Sequence, residues 1–474
     1  MSRRPRVVIL GGGVGGLAAG WFLARTDRYD VTVVERGSAI GGHCASFAHD
    51  GFMLDHGPHK MYSVIPGVLE ELRALMGDRL LTHRKRNAIY LRGHRLDYPL
   101  QLGNLAKVLG VRCALALGFG YGQAMLSGWF RRKEPASYAE YIRARFGSAA
   151  YQLVFEPLAW KVWGEPETLH PDIARARIPA SGAAEVLLKL LRLQRDDAQT
   201  NAECFYYPRK GFGEFPNALA ERIVRHGGRI LTESEPRAIL HSGPRITSVR
   251  IRRQTAEEEL PCDLLISSIP LPAVGQMLGG QQDPVFTQAV EGLQFRHLIL
   301  VYIFLNRPRA LEDHWVFFPE REFVFNRIFE PKALSEELGP PERTCVCCDL
   351  TCSEGDALWR ASDEEVVDRC VEGLLRARVI AGRGEVLGSL VKRSRNFYPR
   401  YDQAYREKMQ VVNRWLQQFE NLLCTGRIGL YNYNNSDHCI DMGRFIAQRV
   451  SEAAPCPAIW QELEARVATY RIVD

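Results

Sequence analysis

Three glycines, Gly11, Gly13 and Gly16, lie between an apolar run that ends at Leu10 and a helix-patterned run over residues 14 to 25. Residues of this type at this spacing bind a pyrophosphate. A turn without side chains lets the backbone approach phosphate oxygens, and the helix that it opens aims its unpaired N–H groups at them. Glu35 ends a second apolar run, VTVVE, 19 positions after Gly16, where a carboxylate takes ribose hydroxyls. Arg36 follows it, and then a second glycine pair, Gly41 and Gly42, with His43 beside them. The next stretch, FAHDGFMLDHGPH, adds Gly51, Asp55, Gly57 and His59. A plain nicotinamide-binding domain does not need this second segment, so the order of residues predicts a dinucleotide with more to hold.

The elements needed to position these residues are legible in the same stretch. Strands are expected near 6 to 10 and 30 to 35, with helices over 14 to 25 and from Pro66 to Met76. Residues 102 to 200 read as mostly helical, and DLLISSIP, residues 263 to 270, reads as a buried strand that returns to the nucleotide-binding sheet. Alternating runs at 297 to 305, 315 to 329 and 344 to 351 predict an antiparallel sheet. The segment from LLCTGRIG onward ends in a long helix and is expected to close the dinucleotide site.

At 474 residues the chain exceeds one core, and 46% apolar with 24% charged residues is the composition of a globular protein. A net charge of +6 with scattered Arg and Lys excludes a nucleic-acid surface. Twelve cysteines without metal-ligand or disulfide spacing imply reduced thiols in a cytoplasmic protein. The cluster Cys345, Cys347, Cys348 and Cys352 in TCVCCDLTC alternates as a buried strand, with Cys345, Cys347 and Asp349 on one face and Cys348 on the other, so no metal is expected. The run from Val111 to Phe130 is long enough to reach a membrane, but Arg112, Gln123 and four glycines predict a buried or partly amphipathic helix rather than a spanning one, with monotopic attachment as the alternative.

The second glycine segment resembles that of flavoproteins with a two-dinucleotide-fold site, which implies FAD. Nearly the whole chain resembles the superfamily of amine oxidases, protoporphyrinogen oxidases and phytoene desaturases, and within it the UDP-galactopyranose mutase branch. GGHCASF, GPHKMYS, LDYPLQLGNL, the long stretch SYAEYIRARFGSAAYQLVFEPLAWKVWGEPETLHPDIARARIP, EFVFNRIFEP and GRIGLYNYNNSDHCIDMG carry the resemblance. It implies an α/β fold: a Rossmann-like FAD-binding domain split in sequence, with an inserted α+β substrate domain made of an antiparallel sheet and a helical subdomain. The FAD domain would comprise 1–100, 204–285 and 396–474. The helical subdomain would be 101–203, with a mobile loop near 160–180, and the sheet domain 286–395.

Residue by residue, the resemblance implies that Trp163 lies against a nucleotide-sugar and that Arg177 and Arg327 grip its diphosphate. Paired guanidiniums suit that role, since each gives charge-assisted hydrogen bonds to phosphate oxygens. His59 would lie by the flavin, and Arg427 and Asp437 would hold FAD. Tyr433, Tyr398 and Asn435 would line the substrate. The departures from the mutase pattern are Asn434 and Asn435 after the last tyrosine, Tyr62 and Ser63 after GPH, and the added stretch AAEVLLKLLRLQRDDAQTN. They point to an oxidoreductase acting on a small phosphate-linked sugar or cyclitol in glycan or specialised-metabolite biosynthesis, with His59 and Tyr433 ordering the reacting hydroxyl and NAD(P)H as a candidate external reductant. Open alternatives are a non-redox sugar mutase in which reduced FAD attacks through N5, an oxidase or desaturase of an apolar substrate, and a flavin-bound scaffold.

Overall fold

A computed structural model describes residues 3–98, 107–130, 134–177 and 204–472. The added stretch noted above and the end of the expected mobile loop lie outside the described residues.

The apolar run Arg6–Leu10 is the centre of a five-stranded parallel sheet. Asp30–Val34 and Arg229–Leu231 follow on one side, and Leu264–Ser267 and Leu422–Cys424 on the other. Strands from three distant stretches of chain thus form one sheet, and DLLISSIP returns to it as its pattern predicts. Parallel strands covered on both faces need apolar residues at successive positions, and the RVVIL and DVTVV runs supply them. The helix Val14–Ala24 is buried along its whole length, between this sheet and the helices Glu214–Arg225 and Ser436–Ser451.

A second sheet has seven strands, in the order Val386–Arg400, Gln294–Leu305, Thr344–Cys352, Arg327–Phe329, Trp315–Phe317, Asn87–Leu91 and His94–Tyr98. It is not wholly antiparallel. Trp315–Phe317 runs parallel to Asn87–Leu91, which belongs to a hairpin that the sequence places at the end of the first nucleotide-binding block. Alternate residues of the long strands feed two cores: Leu298, Leu300, Tyr302, Cys345 and Cys347 one, and Ile299, Val301, Cys348 and Cys352 the other. Those four cysteines therefore diverge to opposite faces of a buried strand and cannot converge on one ion.

Smaller differences have local causes. The helix expected from Pro66 starts at Val68, because Gly67 takes a left-handed φ of 77°. The 315 to 329 run is two short strands. The terminal helix is two, Ser436–Ser451 and Cys456–Ala468, divided where Ala453 turns left-handed and Pro455 precedes the second. The run 111 to 130 is a single helix, Val111–Phe130, but not a buried one. Tyr121 and Ala124 are covered, whereas Val111, Leu115, Phe119 and Leu126 are exposed.

Candidate functional site

The glycine turn sits at the carboxyl end of the first strand. Gly11 takes φ 99°, a conformation that costs a side chain, and a Cβ on Gly16 would lie 2.1 Å from the Gly11 carbonyl oxygen. Glu35 ties the turn together: Oε2 accepts from Gly12 N at 2.8 Å and Oε1 from Gly37 N at 2.7 Å. Gly41 N donates to Gly12 O at 2.7 Å, which brings the second glycine pair onto the first, while Arg36 stays exposed. From the other side, a Cβ on Gly15 would meet Gly426 Cα at 2.8 Å, so the 425–437 segment closes over the start of the helix.

What this cradle leaves empty matters as much as what it fills. A Cβ on Gly13 would meet no atom within 4 Å, although Gly13 caps the helix. No side chain caps that first turn and no acid lies in it, which leaves its N–H groups directed at a ligand. The buried hydroxyls of Ser267 and Thr425, on the adjoining strand end and loop, have no hydrogen-bond partner among the described residues. Uncapped N–H groups at a helix N-terminus, with open space beside Gly13, fit a dinucleotide diphosphate. Gly11, Gly13, Gly16, Glu35, Gly41 and Gly42 would hold its phosphates and ribose.

His43, Gly57 and His59 form the next wall. His59 Nε2 lies 2.8 Å from the His43 carbonyl oxygen, and the His43 ring packs on Phe397 at 4.4 Å. Burial, then the Arg427 charge, pushes His59 down to about 3 and His43 down to about 4. His59 is therefore neutral at physiological pH. Because a carbonyl only accepts, Nε2 carries the hydrogen and Nδ1 is left as an acceptor.

Beyond this wall cations and rings alternate. The Arg177 guanidinium lies 5.4 Å from the Trp163 ring and 5.2 Å from the Tyr433 ring, and donates to the Tyr433 hydroxyl at 3.1 Å. Tyr433 stacks on Tyr398 at 5.3 Å, and Arg427 lies over Phe397, Tyr398 and Tyr433. Burial, with Tyr433 beside it, pushes the Tyr398 hydroxyl up to about 12, so it stays protonated. Trp163 is 4% exposed, and its indole N–H has no acceptor among the described residues.

The structure thus brings Trp163, Arg177, Tyr398, Tyr433 and Arg427 to one place. Arg327 differs from the expected free guanidinium, since both Nε and Nη2 donate to the buried Asp349 carboxylate. Burial opposes the Arg327 charge, but Asp349 more than offsets this and holds the group above its ordinary range. Arg427 is also engaged, giving Nε and Nη2 to Asn434 O at 2.8 and 2.6 Å. Asn435 is the N-cap of Ser436–Ser451, its N–H donating to His438 Nδ1 at 3.0 Å, and Asp437 is buried in that helix's first turn.

Several positioning residues escaped the sequence reading. Arg400 Nε donates to Trp163 O at 3.0 Å, and Lys161 Nζ donates to Phe318 O and Phe325 O at 2.6 and 2.8 Å. The Tyr401 hydroxyl accepts from Tyr433 N at 2.8 Å. Only Asp349 had a signal, as the lone acid on a face of cysteines.

A family model for an NAD(P)-binding Rossmann-like domain matches residues 9–77. Over 99% of this chain and 98% of the other, the fold superposes on that of reduced UDP-galactopyranose mutase with a TM-score of 0.80 at 17% identity. A triple mutant of putrescine oxidase matches at TM-score 0.65 and 14% identity over 95% of this chain and 99% of its own. The fold is therefore shared with reduced UDP-galactopyranose mutase and with putrescine oxidase. The cradle described above fits a dinucleotide of the FAD type. Phytoene dehydrogenase from Streptomyces griseus is 25% identical over 313 residues, 58% of this chain and 56% of the length of that relative.

Proposed function

We propose that the chain is an FAD-dependent oxidoreductase acting on a phosphate-linked sugar or cyclitol in a cytoplasmic biosynthetic pathway. The observation that carries the substrate class is the buried Trp163 indole N–H, which has no acceptor among the described residues and lies beside the Arg177 guanidinium. The buried donor is already without water, and an apolar ligand cannot give it a partner. A phosphate or hydroxyl oxygen can. FAD, when bound, supplies hydride acceptance or donation, while the protein supplies orientation and electrostatics.

Trp163 and Arg177 anchor the phosphate in this reading, and Tyr433, held by Arg177 and by Tyr401, orients the sugar. His59 contributes an acceptor at Nδ1 rather than a proton. Arg327 acts at longer range, since Asp349 neutralises most of its charge. The mutase reading draws on the same Trp163, Arg177 and Tyr433 column; Asn434 holds Arg427 through its backbone carbonyl, and Asn435 caps the helix.

The test is an anaerobic titration of the FAD-loaded protein with a panel of nucleotide sugars, before and after dithionite reduction. Bleaching of oxidised flavin by a sugar is expected. Turnover by the reduced form alone, with the spectrum unchanged at the end, identifies a mutase. Bleaching by a polyene or porphyrinogen and by no sugar overturns the proposal.

A further inference from the structure

The helix Val111–Phe130 presents one face to the protein and a very different one to solvent. At 3.6 residues per turn, Val111, Leu115, Phe119 and Leu126 fall within one arc of about 80°. They are 65%, 67%, 70% and 65% exposed, four of the ten large hydrophobics exposed among the described residues. Tyr121 and Ala124 lie on the opposite side and are buried. That side is fixed by the helix Tyr138–Ala150, where a Cβ on Gly147 would come 2.4 Å from the carbonyl of Gly120. A helix clamped this closely by its back presents the apolar row in a set orientation.

Charge decides what the row faces. From residue 98 to 133 the sequence has no Asp or Glu, but it has Lys107 and Arg112 at one end of the helix and Arg131, Arg132 and Lys133 at the other. Lys107 and Arg112 are exposed. A second copy laid on the row in either direction would bring basic ends together. No helix among the described residues is long and apolar enough to cross a membrane. An apolar row flanked by cations, too short of hydrophobicity to span, suits the headgroup layer of an anionic bilayer.

We propose that Val111, Leu115, Phe119 and Leu126 dock the protein on an anionic membrane surface, with the exposed Lys107 and Arg112 on the lipid headgroups. The test is flotation of the FAD-loaded full chain with vesicles of equal phosphatidylglycerol and phosphatidylcholine, and with phosphatidylcholine alone. The protein is expected to float with the anionic vesicles, and less so as salt rises. Leu115→Glu with Phe119→Glu should weaken this by more than about tenfold, whereas Val224→Glu, at a residue 57% exposed on another helix, should not. No flotation with either vesicle, or equal flotation of the double variant, overturns the proposal. So does a wild-type dimer that the double variant dissociates, since a second copy would then cover the row. The readout does not depend on turnover, so it stands or falls apart from the substrate assignment.

Discussion

Replacing Trp163 by Phe keeps a ring against Arg177 and Tyr433 but deletes the indole N–H. In the unliganded protein that N–H is buried and has no acceptor among the described residues, and its removal relieves a desolvation penalty of about 1–3 kcal/mol. The smaller ring leaves a void whose cost, about 1 kcal/mol or more, acts in the opposite sense. The two nearly cancel, so urea unfolding should give a stability within about 1 kcal/mol of wild type. Binding tells a different story. If the N–H donates to a phosphate oxygen, the variant loses a charge-assisted hydrogen bond worth about 1.5–3 kcal/mol, or roughly 10- to 150-fold in affinity. Isothermal titration of the FAD-loaded variant with UDP-galactose as probe separates the outcomes. A fold as stable as wild type with weakened binding supports the assignment of Trp163. Wild-type affinity in the variant would refute it, because the orphan donor would then have no ligand to serve.

Gly13→Ala adds a Cβ that meets no protein atom within 4 Å, so the variant should fold with wild-type stability yet fail to retain FAD on gel filtration; Gly16→Ala, 2.1 Å from the Gly11 carbonyl, should fail to fold. Asp349→Ala strands the buried Arg327 charge and should cost about 3–5 kcal/mol in urea unfolding, most of it recovered when Arg327→Met is added. His59 and His43 are pushed down to about 3 and about 4, so their stabilising contribution is complete above the unfolded value of about 6.5 and is lost as pH falls toward 4. The slope is at most about 1.4 kcal/mol per pH unit for each, and less because both keep some exposure. The stability gap between wild type and His59→Phe should therefore narrow between pH 7 and pH 5.

The nucleotide-binding half was legible because its constraints are local in sequence. Gly11, Gly13, Gly16 and Glu35 are spaced by the geometry of a single strand, turn and helix, and the alternation in TCVCCDLTC reported its own two-sided burial. The cluster around Trp163, Arg177 and Arg327 depends on partners far apart in the chain. Arg327 has the residue type of a phosphate ligand, and nothing near it in sequence shows that Asp349, on the neighbouring strand, takes two of its donors. Arg400 reaches the Trp163 carbonyl across 237 positions, a contact that no periodicity encodes. Helix 111–130 was read as buried or partly amphipathic, and which side is covered was not legible, because cover depends on which neighbours arrive.

The positions of Asn434 and Asn435 bear on what the site can do. A backbone carbonyl that takes two donors from Arg427, followed directly by the N-cap of the helix Ser436–Ser451, makes this dipeptide a joint between the aromatic column and the helix that packs on Val14–Ala24. Arg427 is thereby fixed over Phe397, Tyr398 and Tyr433 at 5.3 to 6.0 Å, and its charge helps keep His43 and His59 neutral. Around His59 the structure places acceptors and aromatic faces, and the Arg177 guanidinium stands against the Trp163 and Tyr433 rings. Under the proposed function, the cations Arg427, beside His59, and Arg177, beside Trp163, favour a substrate that carries an anionic group.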